Sequence, residues 1–182
     1  MWNVMLGYDY LSIPLDNNLL YYWAKKSYKE FKLGKSSGKL VDTRNSKVSF
    51  LTPNAEIKKE LFRLADNANK LGGWELNITD VENLQYTVYE KGDFYNWHTD
   101  VGKKKNHLGI RKLSFTMLLN DNYEGGMLQM EHGAPNSDDR IYNISPKLGD
   151  IVWFPSWKWH RVTLVTSGIR ESLVCWFVGE HG

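Results

Sequence analysis

Two residues in the middle of the chain could bind one metal ion together. His98 and Asp100 are separated by a single residue, so on an extended segment their side chains leave the same face of the strand. A second histidine from a distant strand would complete the set, and His160 follows an apolar run later in the chain. Two histidines and one carboxylate leave adjacent coordination positions open, as a non-haem Fe(II) centre requires, whereas a zinc hydrolase needs only one. The alternative is a surface histidine beside a turn aspartate.

A cationic residue in the last apolar run could hold a carboxylate. Arg170 opens that run, and its guanidinium is a planar, permanently charged group that can donate two parallel hydrogen bonds to one carboxylate. Strand alternation places Ser172 and Trp176 on the same face as Arg170. Ser172 could therefore add a hydroxyl to the same carboxylate, and Trp176 could form a wall of the pocket. For Arg170 the alternative is a surface charge at a strand edge.

The elements that must position these residues begin with two amphipathic runs. The first predicts a helix over Leu15–Phe31 with Asp16 as its N-cap. The second predicts a helix over Pro53–Leu71, with Thr52 as N-cap and Pro53 at the first helical position. Between the two helices, residues 41–51 are expected to be extended.

From Val81 onward, short β-type runs alternate with turn residues, which is typical of an antiparallel sandwich or barrel. The predicted strands are Val81–Glu90, Arg111–Asn120, Met127–Glu131, Arg140–Ile144, Asp150–Pro155, Arg161–Val165 and Arg170–Val178. The predicted fold class is therefore mainly β with N-terminal helices. We expect one domain over residues 1–182, in which residues 1–80 are mostly helical support and residues 81–180 form the β-core.

Composition bounds the class of protein. The 182 residues are 42% hydrophobic, which suits one domain with a sizeable core, and the single cysteine excludes an internal disulfide. A net charge of +2 is too small to indicate a nucleic-acid partner. No apolar run approaches the ~20 residues of a membrane span, and the start lacks the basic region of a signal peptide. We expect no membrane association, a cytoplasmic location, and a monomer or small homo-oligomer.

Short strings around the candidate residues also follow one another in a known order. They are R-x-S-K at Arg44–Lys47, Y-x-x-G-x-x-Y-x-x-H-x-D at Tyr89–Asp100, R-x-L-S with a later L-N at Arg111–Asn120, Y-x-G-G-x-L at Tyr123–Leu128, G-D-I-V-W-F-P at Gly149–Pro155, and the segments beginning at His160 and Gly168. In this order they resemble the prolyl 4-hydroxylase-like Fe(II)/2-oxoglutarate dioxygenases, including their bacterial PKHD-type branch. The resemblance covers roughly residues 40–180.

The resemblance implies a double-stranded β-helix (jelly-roll) core and the use of Fe(II), 2-oxoglutarate and O₂, with ascorbate as reductant. It makes His98, Asp100 and His160 the iron ligands and Arg170 the partner of the distal (C5) carboxylate of 2-oxoglutarate. The implied reaction converts 2-oxoglutarate to succinate and CO₂ and hydroxylates an unactivated C–H. Because Asp100 fills the position that halogenating relatives leave for halide, hydroxylation is favoured over halogenation.

Other positions match the family and have a structural alternative as core or backbone-satisfying residues. The resemblance places Tyr89 near the cosubstrate, and Arg44, Ser46 and Tyr95 near the substrate. Ser114 and Thr116 share a strand face and could hydrogen-bond the cosubstrate, and Trp97, beside the H-x-D motif, is a candidate wall of the substrate pocket. In the family a tyrosine on the strand after the H-x-D motif often reaches the C5 carboxylate, whereas the corresponding strand here has none at 115–119. The second anchor of that carboxylate therefore stays unassigned.

The substrate is expected to be a prolyl residue of a protein or peptide. The Arg44-x-Ser46 strand and the long helix look closer to peptidyl-prolyl hydroxylases, and the fixed φ of proline lowers the entropy lost on binding in extended form. A hydroxylase of a free amino acid or another small molecule is the alternative, and a catalytically silent β-barrel binding module is another. Nucleic-acid demethylation is disfavoured, because Trp176 stands where those enzymes have a second arginine.

Overall fold

The computed structural model describes residues 7–32, 38–43, 46–102, 108–131 and 140–180, and of residues 38–43 only the backbone. The described helices are α1 (Leu19–Lys32) and α2 (Ala55–Gly72). The described strands are β1 (Leu11–Pro14), β2 (Gly38–Thr43), β3 (Ser46–Leu51), β4 (Asp80–Val81), β5 (Leu84–Tyr89), β6 (Tyr95–His98), β7 (Ile110–Leu118), β8 (Tyr123–Gly125), β9 (Leu128–Glu131), β10 (Ile141–Ile144), β11 (Asp150–Pro155), β12 (His160–Val162), β13 (Val165–Gly168) and β14 (Arg170–Gly179). No described helix is long and apolar enough to cross a membrane.

The strands form two facing antiparallel sheets. The major sheet has the order β1-β11-β7-β14-β5-β3-β2, with β4 beside β14, and the minor sheet has the order β10-β9-β12-β6. A two-stranded ribbon pairs β13 with β8. An apolar cluster joins the two sheets, since Val152 and Phe154 of β11 pack with Met130 of β9 and Val162 of β12. The predicted double-stranded β-helix is therefore confirmed.

Both helices pack on the outer face of the major sheet. The buried stripe of α2 is Ile57, Leu61, Ala65 and Ala68, which keeps the spacing of one helix face. The stripe joins the apolar core that includes β7 and β14. Helix α1 is fixed by a stack of Tyr28 on Tyr86 of β5, with ring centroids 3.9 Å apart. The helices therefore support the sheet from outside and contribute nothing to its inner face.

The N-terminus of α2 differs from the predicted one. Asn54 is the N-cap, and its side chain accepts a hydrogen bond from the backbone N–H of Ile57 at 2.9 Å. Thr52 as N-cap and Pro53 as the first helical residue are therefore wrong. The asparagine lies where its oxygen reaches the third helical N–H, and Pro53 ends the preceding extended segment instead.

The N-terminus of α1 also lies later than predicted. The side chain of Asn17 accepts a hydrogen bond from the backbone N–H of Leu19 at 3.0 Å, so Asp16 is not the cap. The Asp16 carboxylate instead accepts two hydrogen bonds from Arg63 of α2, at 2.8 and 2.9 Å. These bonds lower the pKa of Asp16. A cross-helix ion pair has therefore replaced the expected capping role.

The first eighty residues contribute strands as well as helices. Strand β1 extends the major sheet beyond β11, and β3 pairs with β5 at the other side. The segment predicted to be extended, 41–51, forms the hairpin of β2 and β3. Describing this half as mostly helical support therefore missed its role at the sheet edges, where unpaired backbone groups need partners. The predicted strand Arg161–Val165 is divided between β12 and β13, and β8 lies between two predicted strands, where none was expected.

Candidate active site

The predicted metal ligands meet at the open end of the minor sheet. His98 ends β6 and His160 begins β12, and the two residues pair directly across the sheet. Asp100 follows β6, and its backbone N–H donates to the carbonyl of Ser156 at 2.9 Å, just beyond β11. The Asp100 Oδ1 atom lies 3.5 Å from His98 Nε2 and 3.3 Å from His160 Nε2. All three candidate ligand atoms lie within 4.8 Å of one another.

The backbone fixes which nitrogen each histidine presents. His98 Nδ1 lies 2.7 Å from the carbonyl of Asn96, and His160 Nδ1 lies 2.9 Å from the carbonyl of Lys158. A carbonyl only accepts, so each Nδ1 carries the proton and donates it. The lone pair of each Nε2 is then directed to the Asp100 carboxylate. Three electron-pair donors that converge on one point require a cation between them, so the donor set fits a divalent metal.

The electrostatics of the triad agree with this arrangement. Burial lowers the pKa of His98 and so favours the neutral imidazole that a metal needs. Burial of Asp100 alone would raise its pKa, but without a metal the charge of a protonated His160 and hydrogen bonds from both histidines outweigh burial and hold the pKa well below its usual range. The carboxylate is therefore ionised, and a bound metal ion would take the place of the Nε2 protons.

A β-bulge between β6 and β12 separates two aromatic residues that the sequence placed together. The pairing shifts so that His160 opposes His98 while Val162 opposes Tyr95, and the extra residue turns Tyr95 to the side of His98. The Tyr95 ring stacks on the His98 ring with centroids 3.5 Å apart. Trp97 does not line the cavity described below. It instead lies under the guanidinium of Arg161 at 4.8 Å.

A cavity that contains the triad lies between the sheets. Its minor-sheet wall comprises Tyr95, His98, Asp100, Leu128, His160 and Val162. Its major-sheet wall comprises Gln85, Thr87, Tyr89, Phe115, Thr116, Phe154, Arg170, Ser172, Val174 and Trp176. The cavity therefore brings the triad and Arg170 into one space, from elements far apart in the chain.

Arg170 is buried in the cavity wall and lacks a carboxylate partner. Its exposed fraction is 3%, and within the described part of the chain it forms no ion pair. One guanidinium nitrogen donates to Ser172 Oγ at 3.3 Å, and the guanidinium lies 5.5 Å from the Tyr89 ring centroid. The buried Nε has no hydrogen-bond partner among the residues that the structure describes. An isolated buried cation is costly, so this site fits an anionic group that enters the cavity.

One further buried donor of the same wall lacks a partner among the described residues, namely Thr87 Oγ1. Trp176 Nε1 misses ideal hydrogen-bond geometry, but the Trp176 side chain interacts with the Asp100 carboxylate and helps to lower its pKa. Sequence reasoning missed Thr87. The alternation used for β14 could have found it, because Thr87 lies on the same face of β5 as Tyr89 and pairs with Ser172.

The remaining predicted residues are distributed unevenly. Thr116 lines the cavity beside Val174 of the neighbouring strand. Ser114 does not line it, because its buried hydroxyl is engaged with Ser156 Oγ at 2.8 Å. Ser46 is buried at the start of β3 and lies outside the cavity lining. Arg44 lies outside the described residues.

Arg111 supports the site from behind and was quoted in the sequence only as part of a motif. Its guanidinium forms two hydrogen bonds with Glu82, at 2.6 and 3.0 Å. Its Cζ lies over the Trp176 ring, 3.6 Å from the ring centroid. A third nitrogen donates to the backbone carbonyl of Asp100 at 3.3 Å. One side chain therefore contacts both a metal ligand and a cavity wall.

Two facing antiparallel sheets that enclose two histidines, a carboxylate and a buried arginine define the class of double-stranded β-helix proteins that bind a non-haem metal and an anion. Comparison with known families agrees. The profile of the 2OG-Fe(II) oxygenase superfamily matches residues 84–178, and the chain belongs to that superfamily.

Curated relatives are PKHD-type hydroxylases of bacteria. The chain is 37% identical over 131 residues to one from Synechococcus sp. (strain CC9605), which covers 69% of this chain and 56% of the relative. It is 33% identical over 135 residues to one from Picosynechococcus sp. (strain ATCC 27264 / PCC 7002 / PR-6), which covers 72% of this chain and 58% of the relative. The chain thus spans little more than half the length of these relatives.

Solved structures with the same fold include several prolyl hydroxylases. A prolyl-4-hydroxylase from Pseudomonas putida superposes with a TM-score of 0.71 at 22% identity, over 96% of this chain and 94% of that one. The viral collagen prolyl hydroxylase from Paramecium Bursaria Chlorella virus-1, solved as its 2OG complex, gives 0.68 at 17% identity, over 98% and 100%. At these identities the likeness establishes the fold.

Proposed function

We propose that this chain is an Fe(II)- and 2-oxoglutarate-dependent hydroxylase of an unactivated C–H bond. The observation that carries the proposal is the buried Arg170, without a carboxylate partner among the described residues, in the same cavity as His98, Asp100 and His160. When bound, Fe(II) with 2-oxoglutarate and O₂ supplies the oxidising power. The presence of every triad member argues against a binding module that has lost turnover.

The chain's own residues bind the metal, orient the cosubstrate and exclude water. His98, Asp100 and His160 hold the metal through Nε2, a carboxylate oxygen and Nε2. Arg170 and Ser172 bind the C5 carboxylate of the cosubstrate, and Thr87 donates to the same molecule in place of the tyrosine that related enzymes carry on the strand after the H-x-D motif. The apolar residues of the cavity, including Leu128 and Phe154, keep water from the reacting centre.

The substrate class that we propose is a prolyl residue in a flexible protein or peptide segment. Solved structures of the same fold support this class, since they include the two prolyl hydroxylases above. A third is a prolyl hydroxylase from Trichoplax adhaerens in complex with a peptide fragment of the hypoxia inducible factor oxygen degradation domain. It superposes with a TM-score of 0.65 at 20% identity, over 93% of this chain and 83% of that one. The half-exposed Tyr95, stacked on His98, lies where a substrate would enter.

Two measurements test the proposal. Anaerobic addition of Fe(II) and 2-oxoglutarate should produce a weak visible charge-transfer band, and His160→Ala should lose it. Incubation with proline-rich peptides, free L-proline and host lysate, with Fe(II), 2-oxoglutarate and ascorbate, should release succinate and add the mass of one oxygen atom to a peptidyl proline. Oxidation confined to free metabolites would refute the substrate class, and absence of the band would refute the reaction.

A further inference from the structure

Gly126 lies against the side chain of Arg170 without lining the cavity itself. Its φ is +59°, in the left-handed region. A Cβ at this position would lie 2.9 Å from Arg170 Cδ, 3.1 Å from Val165 Cγ2 and 3.3 Å from Tyr123 Cε2. Carbon atoms in contact prefer about 3.5–4.0 Å. A side chain at position 126 would therefore have to displace at least one of these groups.

Of the two closest neighbours, Arg170 is the one that can move. Val165 is fully buried, and its backbone is held by two hydrogen bonds, to the carbonyl of Asp93 at 3.0 Å and from the N–H of Gly92 at 2.8 Å. The arginine side chain borders the open cavity and is held there by a hydrogen bond of 3.3 Å to Ser172. Added bulk at 126 would therefore push the guanidinium.

We propose that Gly126 is a positioning residue for the cosubstrate: the space left by its missing side chain sets the place at which the Arg170 guanidinium enters the cavity. This inference rests on the proposed function, since it takes the Arg170 guanidinium to bind the 2-oxoglutarate carboxylate. Restoring an ordinary carbon contact requires Cδ to move by about half an ångström or more. The 3.3 Å hydrogen bond from Arg170 to Ser172 would then break, and the guanidinium would no longer be placed to bind the carboxylate.

Gly126→Ala is the test, and Gly149→Ala is its matched control. Gly149 has a φ of +83°, and a Cβ there would meet nothing within 4 Å, so the control introduces the left-handed strain without the contact. The Kd of 2-oxoglutarate is measured by calorimetry on the Mn(II)-loaded protein, together with KM and kcat. We expect about tenfold weaker 2-oxoglutarate binding in Gly126→Ala, with Mn(II) affinity and kcat at saturating cosubstrate unchanged. Gly149→Ala should bind like the unaltered chain.

A double-mutant cycle identifies the group through which Gly126 acts. In an Arg170→Ala background, Gly126→Ala should cause no further loss of 2-oxoglutarate affinity, whereas independent effects would add. Should Gly126→Ala fail to fold, Gly126→Ala/Val165→Ala removes the valine contact and keeps the arginine contact, and the same loss is expected.

The outcomes separate this inference from the function beneath it. If the unaltered Mn(II)-loaded chain binds no 2-oxoglutarate, the proposed function fails and the inference fails with it. If the unaltered chain binds and Gly126→Ala binds equally well, only the role of Gly126 is overturned. Equal losses in Gly126→Ala and Gly149→Ala would also overturn it, since backbone strain would then explain both.

Discussion

The two walls of the cavity differ in how their polar groups are satisfied. On the minor-sheet wall, both histidines donate from Nδ1 to a backbone carbonyl two residues earlier, and their remaining nitrogens converge on Asp100. On the major-sheet wall, Thr87 and Arg170 each keep a buried donor atom without a partner among the described residues. The polar groups of the minor-sheet wall need only a metal ion to be satisfied, whereas those of the major-sheet wall need a ligand in the cavity.

This difference separates preorganisation from recognition. The metal wall is held by backbone hydrogen bonds, so its geometry exists before anything binds. The opposite wall contains buried donors without partners in the described part of the chain, and each destabilises the folded protein by about 1–3 kcal/mol. This penalty is removed only when a ligand with an acceptor atom binds. Variants of the two walls should therefore affect metal affinity and cosubstrate affinity separately.

The largest expected effect is on the metal wall. His98→Ala, Asp100→Ala and His160→Ala each remove one of three ligands, so we expect loss of Fe(II) binding and of succinate release, with the fold retained. Equilibrium dialysis with Fe(II), a succinate assay and a thermal melt measure the three quantities. Full succinate release by any of these variants would contradict the triad.

On the opposite wall, Arg170→Ala should weaken the cosubstrate and spare the metal. The expected loss in kcat/KM for 2-oxoglutarate is about 2–4 kcal/mol, because a buried charge pair is broken. Fe(II) affinity without cosubstrate should stay the same. An unchanged saturation curve for 2-oxoglutarate would show that the guanidinium does not bind the cosubstrate.

Strand spacing made the main residues predictable from sequence. His98 and Asp100 share a face because they are two apart, and Arg170, Ser172 and Trp176 share a face of β14 for the same reason. The structure brings them together as expected. The assignment of His160 as the second histidine ligand depended on the resemblance. Local residue spacing does not predict which distant strands pair.

Local irregularities were not predictable in the same way. Regular alternation would place Tyr95 and Trp97 on the same face of β6. Because of the bulge opposite β12, Tyr95 lines the cavity and Trp97 contacts Arg161 instead. The N-cap at Asn54 was missed because Thr52 followed by Pro53 is also an acceptable helix start, so residue types alone do not choose between the two. Ser114 was expected near the cosubstrate, but its hydroxyl had a nearer partner in Ser156.

Arg111 gives a smaller effect that links the two walls. Arg111→Ala should lower metal affinity by about 10–100-fold, the range for groups that hold a ligand in place. The reason is that Arg111 donates to the Asp100 carbonyl and lies against Trp176. Arg63→Ala is the control, since Arg63 also makes a double ion-pair contact but lies on α2 far from the cavity lining. Equal metal affinities in Arg111→Ala and Arg63→Ala would show that Arg111 does not hold the metal site in place.

The smallest effect has opposite signs for stability and binding. Thr87→Val keeps the shape of a residue with only 2% exposure and removes its unpaired hydroxyl. We expect the cosubstrate-free protein to be stabilised by about 1 kcal/mol, and 2-oxoglutarate to bind more weakly by a similar amount.

Ser114→Ala is the matched control for Thr87→Val, because it removes a buried hydroxyl that has a partner and leaves Ser156 without one. It should lower the melting temperature and leave 2-oxoglutarate affinity unchanged. Melting curves with and without 2-oxoglutarate on the Mn(II)-loaded protein measure both quantities. A lower melting temperature for Thr87→Val in the absence of cosubstrate would mean that its hydroxyl is already satisfied, and the contrast between the two walls would no longer include Thr87.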